Sequence, residues 1–206
     1  MRTRAALVTA AVHEFTERGY AATTARSIAA RATAATGSFY QYFTSKDEVL
    51  REVAGTRQAL LTERVLGLVE GDRLDVDQAR GRLREVIDVV VAAHVADGAL
   101  HAVITERRHA DPALDALIRA GERRLLDRIT AVLGRWAHPD PAATAFIVMA
   151  ALEGAVHAHV LGQPVVSDAR FIDALADALV RIALPATASP ATSHLVAPET
   201  PWPSSS

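Results

Sequence analysis

The chain has 206 residues, half of them hydrophobic, with 22 Lys/Arg against 24 Asp/Glu and a formal net charge of −2. That length allows one ordinary domain, or a small one joined to a larger one, with enough apolar material for a sizeable core. There is no cysteine, which excludes a disulfide framework, a thiolate metal site and a cysteine nucleophile, and fits a cytoplasmic protein.

A first helix is expected from about Arg2 to Arg18. Leu7, Val8, Ala11, Val12 and Phe15 recur at helical spacing and give it one apolar stripe. Glu14, Glu17 and Arg18 interrupt any apolar run of the signal-peptide kind. Gly19 supplies the stop, with Tyr20 placed to pack back on the helix. Arg2 and Arg4 are within reach of phosphates but belong to a fraying terminus. Two short helical patterns follow in the stretch TARSIAARATAATGSFYQYFTSK. The first runs from Thr24, a good N-cap type, to Ala32, with Ile28 and Ala29 facing one way. The second runs from about Ala35 to Phe43, where Phe39 and Phe43 stand four apart and share an inward face. Its other faces carry Thr36, Gly37, Ser38, Gln41 and Tyr42. Such small, hydrogen-bonding side chains suit a helix lying in a DNA groove. The backbone approaches closely there, and hydroxyl and amide groups meet base edges and phosphates. Arg26 and Lys46 flank that helix and can hold phosphates. A small helical corner around an aromatic core has the same spacing.

The run T-x-R-x-I-A-x-x-A, followed by T-G-S-F-Y-Q-Y-F-x-x-K-x-x-x-L, resembles the DNA-binding signature of the TetR family of bacterial transcriptional repressors. The likeness covers residues 5–50 and rests beyond them on length and helix pattern. It implies an all-α protein with a three-helix helix-turn-helix head over residues 1–46. A larger helical body over 47–185 would bind a small molecule and dimerise. The resemblance also implies that Thr24, Tyr42 and Lys46 anchor phosphates. Arg26, Thr36, Gly37, Ser38, Tyr40 and Gln41 would lie at or near bases and adjacent sugars. Two positions depart from the family's pattern. Thr33 and Ala34 stand where the family usually has Gly and a β-branched residue, and Thr is poor at the positive φ that Gly suits. Ala35 stands where Ser or Thr usually caps the recognition helix, a loss of about 1 kcal/mol. Thr33 is the substitute cap, with the turn reshaped.

Ser45 to Glu48 reads as a capping box opening a helix to about Glu70. Val49, Leu50, Val53, Leu60, Leu61, Val65 and Leu68 form its buried face. Some 24 residues of helix span about 36 Å, long enough to leave the head and enter the body. After the turn GDRLD, Asp75 caps a helix from about Val76 to Ala96. Its run VIDVVVAAHV is apolar on nearly every side and is expected at the centre. Gly98 breaks it, and a shorter helix follows from Leu100 to His109. Asp111-Pro112 and Asp140-Pro141 each pair an N-cap with Pro at the first helical position. The first opens a helix carrying Leu114, Leu117, Ile118, Leu125, Ile129, Val132, Leu133 and Trp136. The second opens an alanine-rich, nearly uncharged helix to about Leu161, stopped by Gly162-Gln163-Pro164. The last helix runs from about Ala169 to Leu184, with Phe171, Ile172, Leu175, Leu179 and Ile182 inward, and Pro185 ends it. Residues 186–206, rich in Pro, Ser, Thr and Ala and including Trp202, read as a disordered tail. No stretch of about 18 uncharged apolar residues appears, so no membrane span is expected. There is no period-two strand pattern and no internal repeat.

Charge is unevenly placed. Through Lys46, six Lys/Arg against Glu14 and Glu17 give +4, and the remaining 16 against 22 give −6. A basic head on an acidic body suits a polyanion bound at one end. No nucleophile elbow, phosphate loop or dinucleotide fingerprint occurs, so an enzyme is not expected. His157-Ala158-His159 invites a metal reading, but residues two apart on a helix face different ways, so no metal or cofactor is expected. The expected function is a ligand-responsive repressor that binds palindromic double-stranded DNA as a homodimer and is released by a small-molecule effector. The alternative is a helical interaction module whose basic head binds an acidic partner. The dimer would form through the last two helices. Ala142, Ala143, Ala150, Ala151, Gly154, Ala155 and Ala158 permit close approach, and Phe171, Leu175 and Leu179 add bulk. The effector pocket would set His94, Glu153 and His157 among Val103, Trp136, Phe146 and Met149, a mostly apolar lining with few polar fixtures. Glu153 and His157, one turn apart, also satisfy each other.

Overall fold

The computed structural model describes residues 2–184 as helices joined by short turns. In chain order these are α1 (Arg2–Ala22), α2 (Ala25–Arg31), α3 (Thr36–Tyr40), α4 (Lys46–Val69), α5 (Val76–Ala96), α6 (Gly98–Arg108), α7 (Pro112–Arg135), α8 (Pro141–Val160) and α9 (Asp168–Ala183). Side-chain caps start most of them. Thr24 Oγ1 accepts from Ser27 N–H at 3.0 Å while Ser27 Oγ accepts from Thr24 N–H at 3.1 Å, which closes a capping box at α2. Asp75 and Gln78 form the same box at α5. Asp111 and Asp140 accept from the first free N–H groups of α7 and α8, ahead of the prolines. Ser45 caps α4 through Glu48 N–H. The expected reciprocal half of that box is absent, because the Glu48 carboxylate accepts from Thr44 N–H and Oγ–H at 2.6 and 2.7 Å.

Gly19, at φ +71° and ψ 177°, breaks α1 after Arg18, and one further turn carries the chain to Ala22. α3, the third helix of the head, is shorter than the expected 35–43. Tyr42 N–H and Phe43 N–H both donate to Phe39 O, so residues 41–42 turn and Phe43 swings back into the core. α6 starts at Gly98 instead of Leu100, and its axis turns 85° from α5. Leu60, expected inside, is 60% exposed, and the buried face of α4 uses Ala54 and Leu66 instead. Pro185, the tail expected over 186–206 and Trp202 lie outside the described residues.

The first core gathers Leu7, Phe15, Ile28, Phe39, Phe43, Val49 and Leu50, and is completed by Leu100, Val103, Ile104 and Leu114. It therefore runs from the head into α6 and the first turn of α7. A second apolar region joins α4, α5, α8 and α9 through Val65, Val86, Val90 and Val156, with Ile87, Val148, Ala176 and Leu179 beside it. α4 and α7 cross closely at Gly121. A Cβ there would collide with Gln58 Nε2, the group that donates to Ile118 O at 3.1 Å.

α8 has the length and, at a mean hydropathy of 1.4, the polarity of a membrane-spanning helix, with Glu153 its one charged residue. Glu153 divides that helix, so it holds no uncharged apolar run of about 18 residues, as expected. The helix packs on α5, α7 and α9, yet only 28% of its apolar stretch is buried. Phe146, Ile147 and Leu161 are about half exposed or more, beside Ala143, Ala150 and Gly154.

Candidate nucleic-acid interface and histidine cluster

α2 and α3 meet at a tight turn. Ala34 N–H donates to Ala29 O and Thr33 N–H to Ala30 O, the paired bonds of a Schellman motif. Its left-handed residue is Thr33, at φ +51°. A β-branched side chain sits poorly there. Ala35 starts α3 without a side-chain bond. Thr33 does not replace it as a cap, because its hydroxyl donates back to Ala32 O at 2.7 Å.

Beyond that turn, Phe39 and Phe43 are buried with ring centroids 5.6 Å apart. With this aromatic pair turned in, Thr36, Gly37, Tyr40, Gln41 and Tyr42 are left exposed, and Ser38 half-buried. Thr24 and Arg26 are exposed at the start of α2. Most of the head's other cations are already engaged. Arg4 pairs with Glu52, and Arg31 with Glu17 and the buried Glu14, which Arg18 also approaches. Among the described residues Arg26 makes no ion pair.

Lys46 turns inward. Its Nζ donates to Tyr20 O at 2.8 Å and Thr23 O at 2.9 Å and lies 4.0 Å from the Tyr20 ring centroid. Burial holds its pKa below the usual lysine range. Two of its three donors tie down the end of α1, which leaves one for an outside anion. Tyr20 donates its hydroxyl to Asp47, and burial first, then that carboxylate, push the phenol up to about 12. Arg107 of α6 stacks on the same ring and pairs with Asp47 at 3.2 Å. Arg107, Tyr20 and Asp47 together bolt α6 to the head, a link that no local pattern in the sequence announces.

In the body the expected pocket residues separate. His94, His157 and Glu153 come together: Glu153 Oε1 lies 3.2 Å from His157 Nδ1 and 3.7 Å from His94 Nε2. Met149 is half-buried one turn before Glu153. Val103 faces the first core. Phe146 is 62% exposed on the outer side of α8. Trp136 reaches Gly71 O at 3.4 Å, beyond the N-terminal end of α5. That end is about 27 Å along the helix axis from His94. One residue not foreseen joins the cluster. His101 of α6 brings its Nε2 to 2.8 Å from His157 Nε2, with its ring centroid 4.7 Å from that of His94. Burial, then the charge of His94, push His101 down to about 4, whereas Glu153 raises His94. His159 turns away from His157, bonds Asp168 at 2.8 Å and stacks on Phe171. Leu179 is fully buried, and Phe171 and Leu175 pack against α5 and α8 within one chain, so the bulk expected at an interface faces inward. Ala142, Ala143, Ala150, Gly154 and Ala158 remain exposed, and Ala151 and Ala155 half-buried.

Comparison with known proteins agrees with this architecture. The model of bacterial regulatory proteins of the tetR family matches residues 7–53, and that of the tetracyclin repressor-like C-terminal domain matches residues 80–182. No curated protein matches the chain. Similar solved structures include a protein from Mesorhizobium loti MAFF303099 assigned to the TetR-family transcriptional regulators. It is 20% identical with a TM-score of 0.71, over 89% of this chain and 95% of that one. SmeT, solved in complex with triclosan, is 23% identical with a TM-score of 0.69, over 89% and 91%. The fatty acid degradation regulator FadR from Bacillus halodurans is 20% identical with a TM-score of 0.64, over 90% and 96%. At these identities the likeness establishes the fold.

Proposed function

Since the chain belongs to the TetR family of bacterial regulatory proteins, we propose that it is a repressor that grips a palindromic duplex operator as a homodimer and lets go when a small molecule enters its body. The observation that carries this reading is the outward face of α2 and α3. It presents Arg26, Thr36, Gly37, Tyr40, Gln41 and Tyr42, with Ser38 at its edge, on a buried aromatic support. Hydroxyl, amide and guanidinium groups there match base edges and phosphates. Thr24 and the third donor of Lys46 are placed for phosphates at its margins. The same observation speaks against an acidic protein partner. Most of the head's cations are paired internally, so a purely electrostatic contact has little free charge to draw on.

The homodimer rests on α8. Its exposed face combines Phe146, Ile147 and Leu161 with small residues, an apolar patch that a second copy would cover as part of a four-helix interface. Two recognition helices would then enter successive major grooves about 34 Å apart. α6 provides the route for release. It carries His101 in the polar cluster, Val103 and Ile104 in the head's core, and Arg107 against Asp47 and Tyr20. With operator favouring α6 in place and effector favouring it displaced, each ligand weakens binding of the other by the same factor. The test is selection of duplexes from a random pool by the full chain. A palindromic consensus is expected, and Gln41→Ala is expected to change which bases are chosen; an unselected pool would sink the reading.

A further inference from the structure

We propose that His94, His101 and His157 form a binding site for a divalent transition-metal ion. Resting on the repressor reading above, occupancy of that site then regulates operator binding through α6. One ring nitrogen from each histidine lies within 4.8 Å of the others. The three come from α5, α6 and α8, so a shared ligand would join three helices at one point.

The hydrogen bonds around the rings point the free nitrogens at that centre. His94 Nδ1–H donates to Val90 O at 2.8 Å, which fixes the tautomer of the neutral ring and leaves its Nε2 as the lone pair available to a metal. That Nε2 is buried and has no hydrogen-bond partner. Glu153 Oε1 lies 3.2 Å from His157 Nδ1, a carboxylate placed beside the imidazole as it is beside many metal-binding histidines. His157 Nε2 lies 2.8 Å from His101 Nε2, so one of the two carries the proton shared between them. Two lone pairs and one ring proton thus face a common centre. On metal binding that proton moves to Nδ1 of the same ring, with no net change in charge on the ring. Zinc–imidazole bonds of about 2.0–2.1 Å set tetrahedral nitrogens about 3.3 Å apart, within reach of small side-chain adjustments. Three neutral nitrogens with an open fourth position select zinc, cobalt, nickel or copper over magnesium and calcium, which prefer oxygen. Glu153, more than half exposed and 3.7 Å from His94 Nε2, supplies a negative charge beside the ion and marks the side of entry. Arg57, whose charge also reaches these rings, is turned to Ala93 O and Asp97. His101 is the ligand that moves the head, since the same short helix carries Val103 and Ile104 into the first core and Arg107 to Asp47.

The test titrates Co²⁺, followed by visible absorption, and Zn²⁺, followed by calorimetry, into the metal-free full chain, with operator binding by anisotropy in parallel. One equivalent per chain and tetrahedral Co²⁺ bands are expected. They should be lost in His101→Ala and in His157→Ala, a half-exposed position less prone to misfolding than His94. Both should persist in His109→Ala, an exposed histidine outside the cluster. Glu153→Gln should weaken Zn²⁺ binding about 10–100-fold through the misoriented His157. Zn²⁺ should change operator affinity at least severalfold in wild type and not in His101→Ala. Failure to bind one equivalent, or binding that survives both cluster variants, would overturn the site. Metal binding with unchanged operator affinity would overturn the regulatory role and leave the repressor standing. Metal binding by a chain that holds no operator would overturn that role together with the repressor reading, but not the site.

Discussion

The head and the body handle their polar groups in opposite ways. In the head, the charges turn toward one another: Arg4 to Glu52, Arg31 to Glu14 and Glu17, Lys46 to the carbonyls that end α1. What remains outside is a nearly neutral face of hydroxyls, amide and phenol groups with Arg26 beside it. In the body, three imidazoles and a carboxylate gather where α5, α6 and α8 meet, and one buried ring nitrogen, His94 Nε2, is left unpaired. The net +4 of residues 1–46 therefore overstates the field available to a ligand. Under the proposed repressor function, recognition by the head would depend on shape and hydrogen bonding more than on bulk charge. The unpaired His94 Nε2 lies beside His101 of α6, where the proposed metal ion would bind.

The contrast breaks first at the aromatic support. Phe39→Ala removes a fully buried ring and should destabilise the head by about 3–5 kcal/mol. Circular dichroism and operator binding should both fall, while body self-association, read by sedimentation, persists. The next test separates free from engaged charge. Arg26→Ala should weaken operator binding by about 1–3 kcal/mol with little change in melting temperature. Arg31→Ala should do the reverse, because it leaves the buried Glu14 without its closest partner.

Arg107→Ala addresses the bolt between the two regions. Operator affinity should change little, and the effector-induced change, about 1–3 kcal/mol of coupling, should shrink in a paired anisotropy titration. If coupling were unchanged, α6 would not be the route. The smallest effects belong to the turn. Thr33→Gly relieves a β-branched residue at φ +51° and should stabilise by about 1 kcal/mol, or roughly 2–4 °C in a thermal melt. Ala35→Ser adds the missing cap of α3 and should contribute about 1 kcal/mol more.

The strain at Thr33 and the bare cap at Ala35 were legible in the sequence because both depend on neighbouring residues alone. So were Gly19, the Asp-Pro starts and the paired phenylalanines. Glu48 was misassigned because Thr44, one residue before the cap, offers two donors to the same carboxylate. Leu60 was misplaced because hydrophobicity does not say which side of a long helix a neighbour covers. The body cluster was only half visible. Glu153 and His157 share a helix face, whereas His94 and His101 meet only because the chain turns 85° at Gly98. Trp136 and Phe146 are apolar residues without a partner in sequence, and nothing local placed the one at the α4–α5 turn and the other on the outer face of α8.

The central claim, that two copies of this head read one duplex, is tested most directly by sedimentation of the full chain with a selected palindromic duplex and with its scrambled counterpart. Two chains per palindrome are expected, with affinity at least about 10³-fold above the scramble. One chain per duplex, or equal affinity for both sequences, would contradict it.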